Sequence, residues 1–383
     1  MQLWYNKEAR SVIVQIITVI LLFAFFAFIV NNAIVNLEKL GKDFDFGFLF
    51  QSANYDINQY LIDYNSQSPH WRAAIVGLIN TLLVAFFGII AATILGFILG
   101  VLRLSKNFLA NRIVYCYVEY VRNVPLLIHI LMLHAVVVHI LPRPKQSLSL
   151  NDTFFLNNRG LYAPDPTFET GMWVVGAVFL AGIAFSIFFA KRAHKIQDDT
   201  GRILPVGWVS LAAIIGAPIV AFGITGMPIE WSMPALKGFN FAGGAVIRSE
   251  FMILWLALTI YTSAFIAEIV RAGILAVPWG QTEASGALGL RSGRTLKLVV
   301  IPQALRVIVP PLTSQYLNLI KNSSLAIAIG YMDLVATIGG ISLNQTGREM
   351  ECMIIVLAVY LFISLSVSSC MNWYNKRIAL VER

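Results

Sequence analysis

Hydrophobic positions gather into long runs and do not alternate with polar ones. Val12 to Val30 is broken only by Gln15 and Thr18, and Ala73 to Leu102 carries no charge. Val124 to Leu141 follows a more polar, interfacial stretch from Asn111. Met172 to Ala190, Ile203 to Ile229 and Met353 to Met371 are uncharged. Phe251 to Val277 is interrupted by Glu268 and Arg271, and Gln303 to Met332 by Arg306, Pro310-Pro311 and Lys321. A membrane helix needs about 20 apolar residues, so eight spans are predicted. These runs are far too long for barrel strands. The fold class read from the pattern is an all-α integral membrane protein. No small-x-small cleavage site directly follows the first run, which reads as a retained span.

Composition agrees. Hydrophobic residues make up 58% and charged residues 13%, about half the usual charged share of roughly 25%. That excludes a soluble enzyme, a disordered chain, a collagen-like fibre and a disulfide scaffold. Cys116, Cys352 and Cys370 are scattered and make no C-x-x-C pair, so neither a disulfide framework nor a zinc site is supported.

The net charge of +8 sorts by topology. With the N-terminus inside, sixteen Lys/Arg fall in inner segments (from Lys7 to Arg383) and nine in the longer outer segments (from Lys39 and Lys42 to Arg348). The positive-inside rule then puts both termini in the cytoplasm. The basic balance needs no nucleic-acid ligand. The outer segment from Asn31 to Trp71, with Asp43, Asp45, Asp56 and Asp63, is too small for a catalytic domain. Pro142 to Thr170 reads as a folded-over loop. Four regions follow: 1–72 with the first helix and an outer segment, 73–141 with two spans, 142–250 with two more, and 251–383 with the last three.

One inner loop, 278–302, differs from the rest. Pro278 and Gly280 end the preceding helix. Thr282 to Leu288 is a short helix of small residues, able to lie close to another surface. Gly289 stands where a positive φ or sharp turn is expected. Arg291, Arg294 and Lys297 recur every three residues, which puts them on one helical face. Pro302 closes the unit. Gly289 to Thr295 is one residue short of a phosphate-binding loop and has Arg where Lys is required. Nucleotide hydrolysis therefore belongs to another polypeptide, no catalytic residue is expected, and no cofactor is assigned to this chain.

This loop resembles the "EAA" motif of the membrane subunits of bacterial ABC importers. Glu283-Ala284-Ser285, Gly289 and Val299-Val300-Ile301-Pro302 match its spacing, with Ser285, Val299 and Ile301 as mild departures. The flanks resemble polar-amino-acid permeases of the histidine/glutamine type. They include Asn80-Thr81-Leu82-Leu83, Glu119 to Leu127, Ser263 to Gly273 and Leu319 to Leu325. The resemblance implies a five-helix type I (MetI-like) core, here the second, third, sixth, seventh and eighth spans. The first span and the 142–250 insertion are extra, a layout similar to the Q-type permease of general L-amino-acid importers.

What the resemblance implies is a permease that moves L-amino acids from periplasm to cytoplasm across a bacterial inner membrane. Its partners would be a dimer of ATP-binding subunits that alone bind ATP, a second homologous permease subunit and a periplasmic amino-acid-binding protein, all with lipid around the spans. Glu283, Ala284, Ser285, Gly289, Arg291 and Pro302 would form the docking loop for the ATPase. The alternative is an ion-coupled secondary amino-acid transporter. It would carry a coupling-ion site in paired broken helices, which the pattern does not show.

Charges at membrane depth are costly and face a cavity or each other. Glu268 and Arg271 share a face. They suit the two ends of a zwitterion, or pair as a structural salt bridge near the cytoplasmic end. Lys321, followed by Asn322 and Ser323, lies near or beyond mid-membrane. It suits a substrate carboxylate or partner subunit, or snorkels to the outer interface. These five are the candidate translocation residues. Arg122 to Pro125 reads as a helix start at the inner interface. His129, His134 and His139 advance about 140° net per step, so they do not converge on a metal, and no metal site is assigned.

Overall fold

A computed structural model describes residues 7–39 and 44–378. Lys42, Asp43, Arg383 and both extreme termini lie outside the described residues. The chain divides into two compact units, one of Met1–Ile130 with Leu254–Arg383, the other of Leu131–Ile253.

The first unit holds most of the long helices. α1 (Lys7–Lys39) buries none of its most apolar stretch. α2 (His70–Leu102) is apolar on all sides. Its position is set by small residues at helical spacing, since Gly88, Ala92, Gly96 and Gly100 are all buried. A Cβ on Gly96 would stand 2.5 Å from Ile266, and one on Gly100 2.8 Å from the Ala267 carbonyl oxygen. Small residues four apart let two membrane helices touch backbone to backbone. Here the partner is α7 (Ser249–Leu275).

The third predicted span is one helix, and the interfacial stretch before it is another. α3 (Phe108–Asn123) is capped by Asn107, whose side chain accepts from the Leu109 and Ala110 amides. It meets α4 (Leu126–Ile140) at a bend of 107°. Pro125 supplies no amide donor and pushes Val124 to extended backbone, observed at φ −105°, ψ 130°. Val114, Val118 and Val121 form the buried stripe of α3 against Ala264 and Ala267 of α7.

After the inner loop the chain runs through Ser292–Thr295, a π turn at Leu296–Val300 and α9 (Ile301–Asn322). Pro302 therefore does not close the loop. It lies within the helical run that continues from Ser292 through the π turn into α9. Pro310 and Pro311 lie inside α9 without ending it. A 3-10 turn (Ser323–Ile329), Gly330 at φ +78° and a π-helical stretch (Val335–Ser342) then precede α10 (Glu349–Ile378).

The outer segment 44–69 packs onto this unit. Phe48 is buried with Leu334, Ile338, Cys352 and Val356, and Ala53, Ile57 and Tyr64 with Ala73 and Val76. Cys352 is buried, Cys116 and Cys370 are exposed, and all three are free thiols.

The second unit contains α5 (Met172–Thr200) and α6 (Val206–Ile224), the latter with a π turn at Ala212–Gly216. Gly182 of α5 lies against the Ala213 carbonyl with no room for a side chain. Flanking these helices are eight short strands, of which the first four replace the folded-over loop expected over Pro142 to Thr170. They are β1 (Leu148–Leu150), β2 (Phe154–Asn157), β3 (Gly160–Ala163), β4 (Asp165–Phe168), β5 (Ile229–Ser232), β6 (Ala235–Lys237), β7 (Asn240–Ala242) and β8 (Ala245–Arg248). β1-β2-β3-β8 make one antiparallel sheet, with β4-β5 and β6-β7 as separate pairs. Because β3 pairs with β8 and β4 with β5, the segments before α5 and after α6 lie on one side. Strands of three or four residues are too short to show alternation. The visible signal is Asn151-Asp152, both at positive φ between β1 and β2, as tight hairpins demand.

Candidate functional site

The inner loop is built around one turn. Pro278 precedes α8 (Trp279–Ala287). Gly289 follows at φ +77°, a left-handed position that only glycine takes without cost. The Leu290 amide reaches back to the Ser285 carbonyl at 3.1 Å, and Gly289 to Gly286 at 2.9 Å, closing the helix end with a glycine cap. Arg291 is extended (φ −67°, ψ 146°) and stands just before the helical turn Ser292–Thr295. It does not share a helical face with Arg294 and Lys297, which corrects the even-spacing expectation.

Ser285, one of the three departures from the motif, is buried and has a task. Its hydroxyl lies 2.8 Å from the Thr282 carbonyl and 3.1 Å from the Thr295 hydroxyl. α8 is thereby tied to the returning chain. Glu283, Ala284, Gly289 and Arg291 are all exposed. Trp279 is 73% exposed and Leu288 81%, although both belong to a polar loop with three exposed basic residues. Behind α8 a cavity of about 700 Å³ is lined by Leu104, Trp279, Thr282, Gly286, Leu290 and Leu296. The knob is tied to the returning chain through Ser285 and Thr295 and shows apolar and charged groups to solvent.

The structure brings Glu268 and Arg271 together, with Nη2 to Oε1 at 2.6 Å. It adds a residue the sequence reading left in a loop. Arg103, just past the end of α2, pairs with the other Glu268 oxygen and approaches Glu119 at 3.7 Å. Asn111 of α3 holds the Arg103 carbonyl. Glu268 thus sits between two guanidiniums, joining the end of α2 to α3 and α7. Spacing alone does not bring residues 165 positions apart together.

Lys321 is set apart from that cluster. It shares an open cavity of about 450 Å³ with Ser324, Val335, Val356, Tyr360 and Ser364. Tyr360 and Ser364 lie 11 and 15 residues into α10, about 17–23 Å from its outer end. Asn322 is half-buried and Ser323 fully buried, its hydroxyl turned to the Ile320 carbonyl at 2.7 Å. Among the three neighbours, only Lys321 lines this cavity.

A buried polar knot behind this cavity was not anticipated. Asp333 is fully buried, with Oδ1 accepting from the Ala336 amide at 2.8 Å and Oδ2 from the Tyr360 hydroxyl at 3.3 Å. Asn80, also fully buried, donates to the Met332 carbonyl at 2.9 Å and the Gln59 carbonyl at 2.8 Å. Tyr331 donates to the Asn80 carbonyl at 2.9 Å, and Leu334 to the Thr81 hydroxyl at 3.1 Å. The Asn80-Thr81 pair therefore fastens the turn after α9.

His129 is buried between the rings of Tyr120 and Tyr261. His134 is half-buried and His139 exposed. Among the described residues, no group of three His, Cys, Asp or Glu could hold a metal ion.

Residues 92–380 match the family described as "Binding-protein-dependent transport system inner membrane component". This chain belongs to that family. Within it, the chain is 48% identical over 379 residues to the general L-amino acid transport system permease protein AapQ of Rhizobium johnstonii, covering 99% of this chain and 94% of that protein. It is 45% identical over 380 residues to the putative amino-acid ABC transporter permease protein YhdX of Escherichia coli, covering 99% and 96%. A third relative is the glutamate/glutamine/aspartate/asparagine transport system permease protein BztB of Rhodobacter capsulatus, 48% identical over 410 residues. Among solved structures, "Crystal structure of an amino acid ABC transporter with histidines" aligns over 80% of this chain and 95% of that one, with a TM-score of 0.47 and 21% identity. The family match extends over the insertion as well as the core, and the full-length relatives share both.

Proposed function

We propose that this family member is a permease subunit of an importer that moves L-amino acids inward, driven by ATP hydrolysed on separate subunits. The observation that carries the reading is the inner loop. It is a short helix ended by Gly289 at φ +77° and tied back by Ser285. Trp279, Glu283, Ala284 and Leu288 lie exposed on it. Exposed apolar groups rimmed by charge mark a protein-docking surface. Glu283, Ala284, Gly289 and Arg291 face the ATP-binding subunits, while Ser285 shapes the knob from within and Pro302 lies exposed at the start of α9. A second permease subunit completes the pore, and a periplasmic binding protein delivers the amino acid. Full-length relatives described as amino-acid permeases support the substrate class.

The cytoplasmic placement of both termini rests on the Lys/Arg distribution. Lys321 is the charge facing the translocation path, where its ammonium meets the substrate carboxylate with Ser324 and Tyr360 beside it. Glu268 and Arg271 act as structural partners of Arg103 at the inner end of the path.

Gly289→Asp tests the docking role in the reconstituted importer. A side chain in the left-handed region costs about 1–2 kcal/mol and adds a charge to the docking surface. Assembly in the membrane should persist while ATP-driven uptake is lost. Gly289→Asn, which tolerates this backbone, should retain more uptake. Wild-type uptake by the Asp variant would overturn docking through this loop.

A further inference from the structure

Asp333 is fully buried behind the Lys321 cavity, at a break between helices. It follows the 3-10 turn Ser323–Ile329 and opens the π-helical stretch Val335–Ser342. This turn is packed on α2 inside its span. The Leu334 amide donates to the Thr81 hydroxyl at 3.1 Å, and a Cβ on Gly77 would stand 2.9 Å from the Asp333 carbonyl oxygen. Among the described residues, Asp333 makes no ion pair. A carboxylate without a cation is costly at that depth, so its presence calls for a reason.

Half of the reason is a helix cap. Oδ1 accepts from the Ala336 amide at 2.8 Å, three residues on. Serine or asparagine caps a helix as well as aspartate does, so the cap requires neither the second oxygen nor the charge. Oδ2 has the other task, receiving the Tyr360 hydroxyl of α10 at 3.3 Å. The Ser323 and Thr81 side chains border the same hydroxyl. Both spend their own protons elsewhere, on the Ile320 carbonyl at 2.7 Å and the Gly77 carbonyl at 2.9 Å. A charged acceptor makes the stronger bond, so the phenol proton goes to Asp333.

Tyr360 also lines the Lys321 cavity, together with Val335, which follows Asp333 by one residue. One carboxylate therefore joins the turn after α9 to the aromatic side chain that stands in the cavity wall. A ring secured at its hydroxyl keeps one orientation, and a binding geometry depends on side chains locked from behind. We propose that Asp333 is a positioning residue for the Lys321 site. Through the Tyr360 hydroxyl it fixes the wall of the cavity that Lys321 shares. It thereby sets the pose of an α-amino acid whose carboxylate meets the Lys321 ammonium. The proposal rests on the reading of Lys321 as the charge facing the path. Asp333 itself, fully buried, does not touch the substrate.

The test uses the assembled importer in proteoliposomes, driven by its binding protein loaded with L-glutamine. Turnover is read separately from the half-saturating concentration of loaded binding protein, with melting temperature alongside. Asp333→Ser keeps the cap and gives up Tyr360. Tyr360→Phe keeps the ring and gives up Asp333. Each should lower turnover about tenfold, the worth of one bond to a charged group, and leave half-saturation unchanged. Combined, they should cost no more than either alone, because both remove the same link. Asp333→Asn keeps the cap and presents its amide to the phenol oxygen, so it should retain more turnover than Asp333→Ser. Wild-type turnover in Asp333→Ser would reduce the residue to a cap and overturn the proposal. Wild-type turnover in Tyr360→Phe would do the same, even where the Ser variant fails to fold. Additive losses in the double variant, or a collapsed melting temperature in Tyr360→Phe, would overturn it in favour of a purely structural knot. Lys321→Ala is measured in the same assay. Unchanged turnover there would count against the Lys321 reading, whereas a loss there beside a wild-type Tyr360→Phe would count against Asp333 alone. Absence of uptake by the unaltered complex would count against the importer reading.

Discussion

The two units bury their contacts differently. In the first, helices approach through glycines, as where Gly96 and Gly100 of α2 meet Ile266 and Val270 of α7. Charged and polar side chains then fasten the helix ends, with Glu268 between Arg103 and Arg271 and with Asn80 under Met332. In the second, α5 and α6 pack with one close contact at Gly182, and hairpins tied by aromatic rings join their flanking segments. Phe155 and Tyr162 lie 4.7 Å and 4.9 Å from the Phe241 ring. The proposed docking loop and the Lys321 cavity both belong to the first unit, where close helix contacts and fixed helix ends are concentrated.

That contrast yields a graded set of expectations. The largest effect belongs to Gly96→Leu. A Cβ there meets Ile266 and the Ser263 carbonyl, and overpacking costs about 1–3 kcal/mol or more when backbone must move. Yield of folded protein and melting temperature in detergent should both collapse. Full recovery of both would remove the close approach as the organising feature of the first unit. Next is Lys321→Ala, for which uptake should fall by about tenfold, the worth of one charge-assisted contact, with melting temperature unchanged. Unaltered uptake kinetics would take Lys321 off the path.

Arg103→Met comes third. Glu268 keeps Arg271, and both groups are partly exposed, at 25% and 32%, so solvent screening holds the loss to about 1–2 kcal/mol. A measurable drop in melting temperature is expected. A stability equal to the wild type would show that the Arg271 pair alone secures Glu268. The smallest effect is assigned to Tyr162→Phe, which removes the hydrogen bond to Asn240 at 2.9 Å. It should cost about 1 kcal/mol and leave uptake untouched. A large loss of uptake there would break the division of labour between the units.

What the sequence shows is governed by range. Hydrophobic runs are local, and each of the eight predicted spans has a helical counterpart, with Val124 to Leu141 appearing as α4, bent by 107° away from α3. The Gly289 turn is local as well, and its positive φ was foreseeable from the glycine alone. The Arg103–Glu268 pair and the hold of Asn80 on Met332 join residues 165 and 252 positions apart. No periodicity encodes such distances. The strands of the insertion failed for the opposite reason, being too short to repeat. Pro302 misled because proline is expected to end a helix or open one, whereas here the helical run passes through it directly after a π turn.

The paired prolines of α9 interrupt the backbone ladder of that helix at one place. Pro310 and Pro311 have no amide hydrogens, so the carbonyls of Arg306 and Val307, four residues earlier, lack helical donors. Two consecutive rungs are missing from an otherwise rigid rod, about 17 Å short of Lys321. Such a rod behaves as a jointed arm. A displacement entering at its inner end reaches the far segment as a change of tilt, while the turn beyond, pinned by Asn80 and Thr81, acts as the fixed bearing.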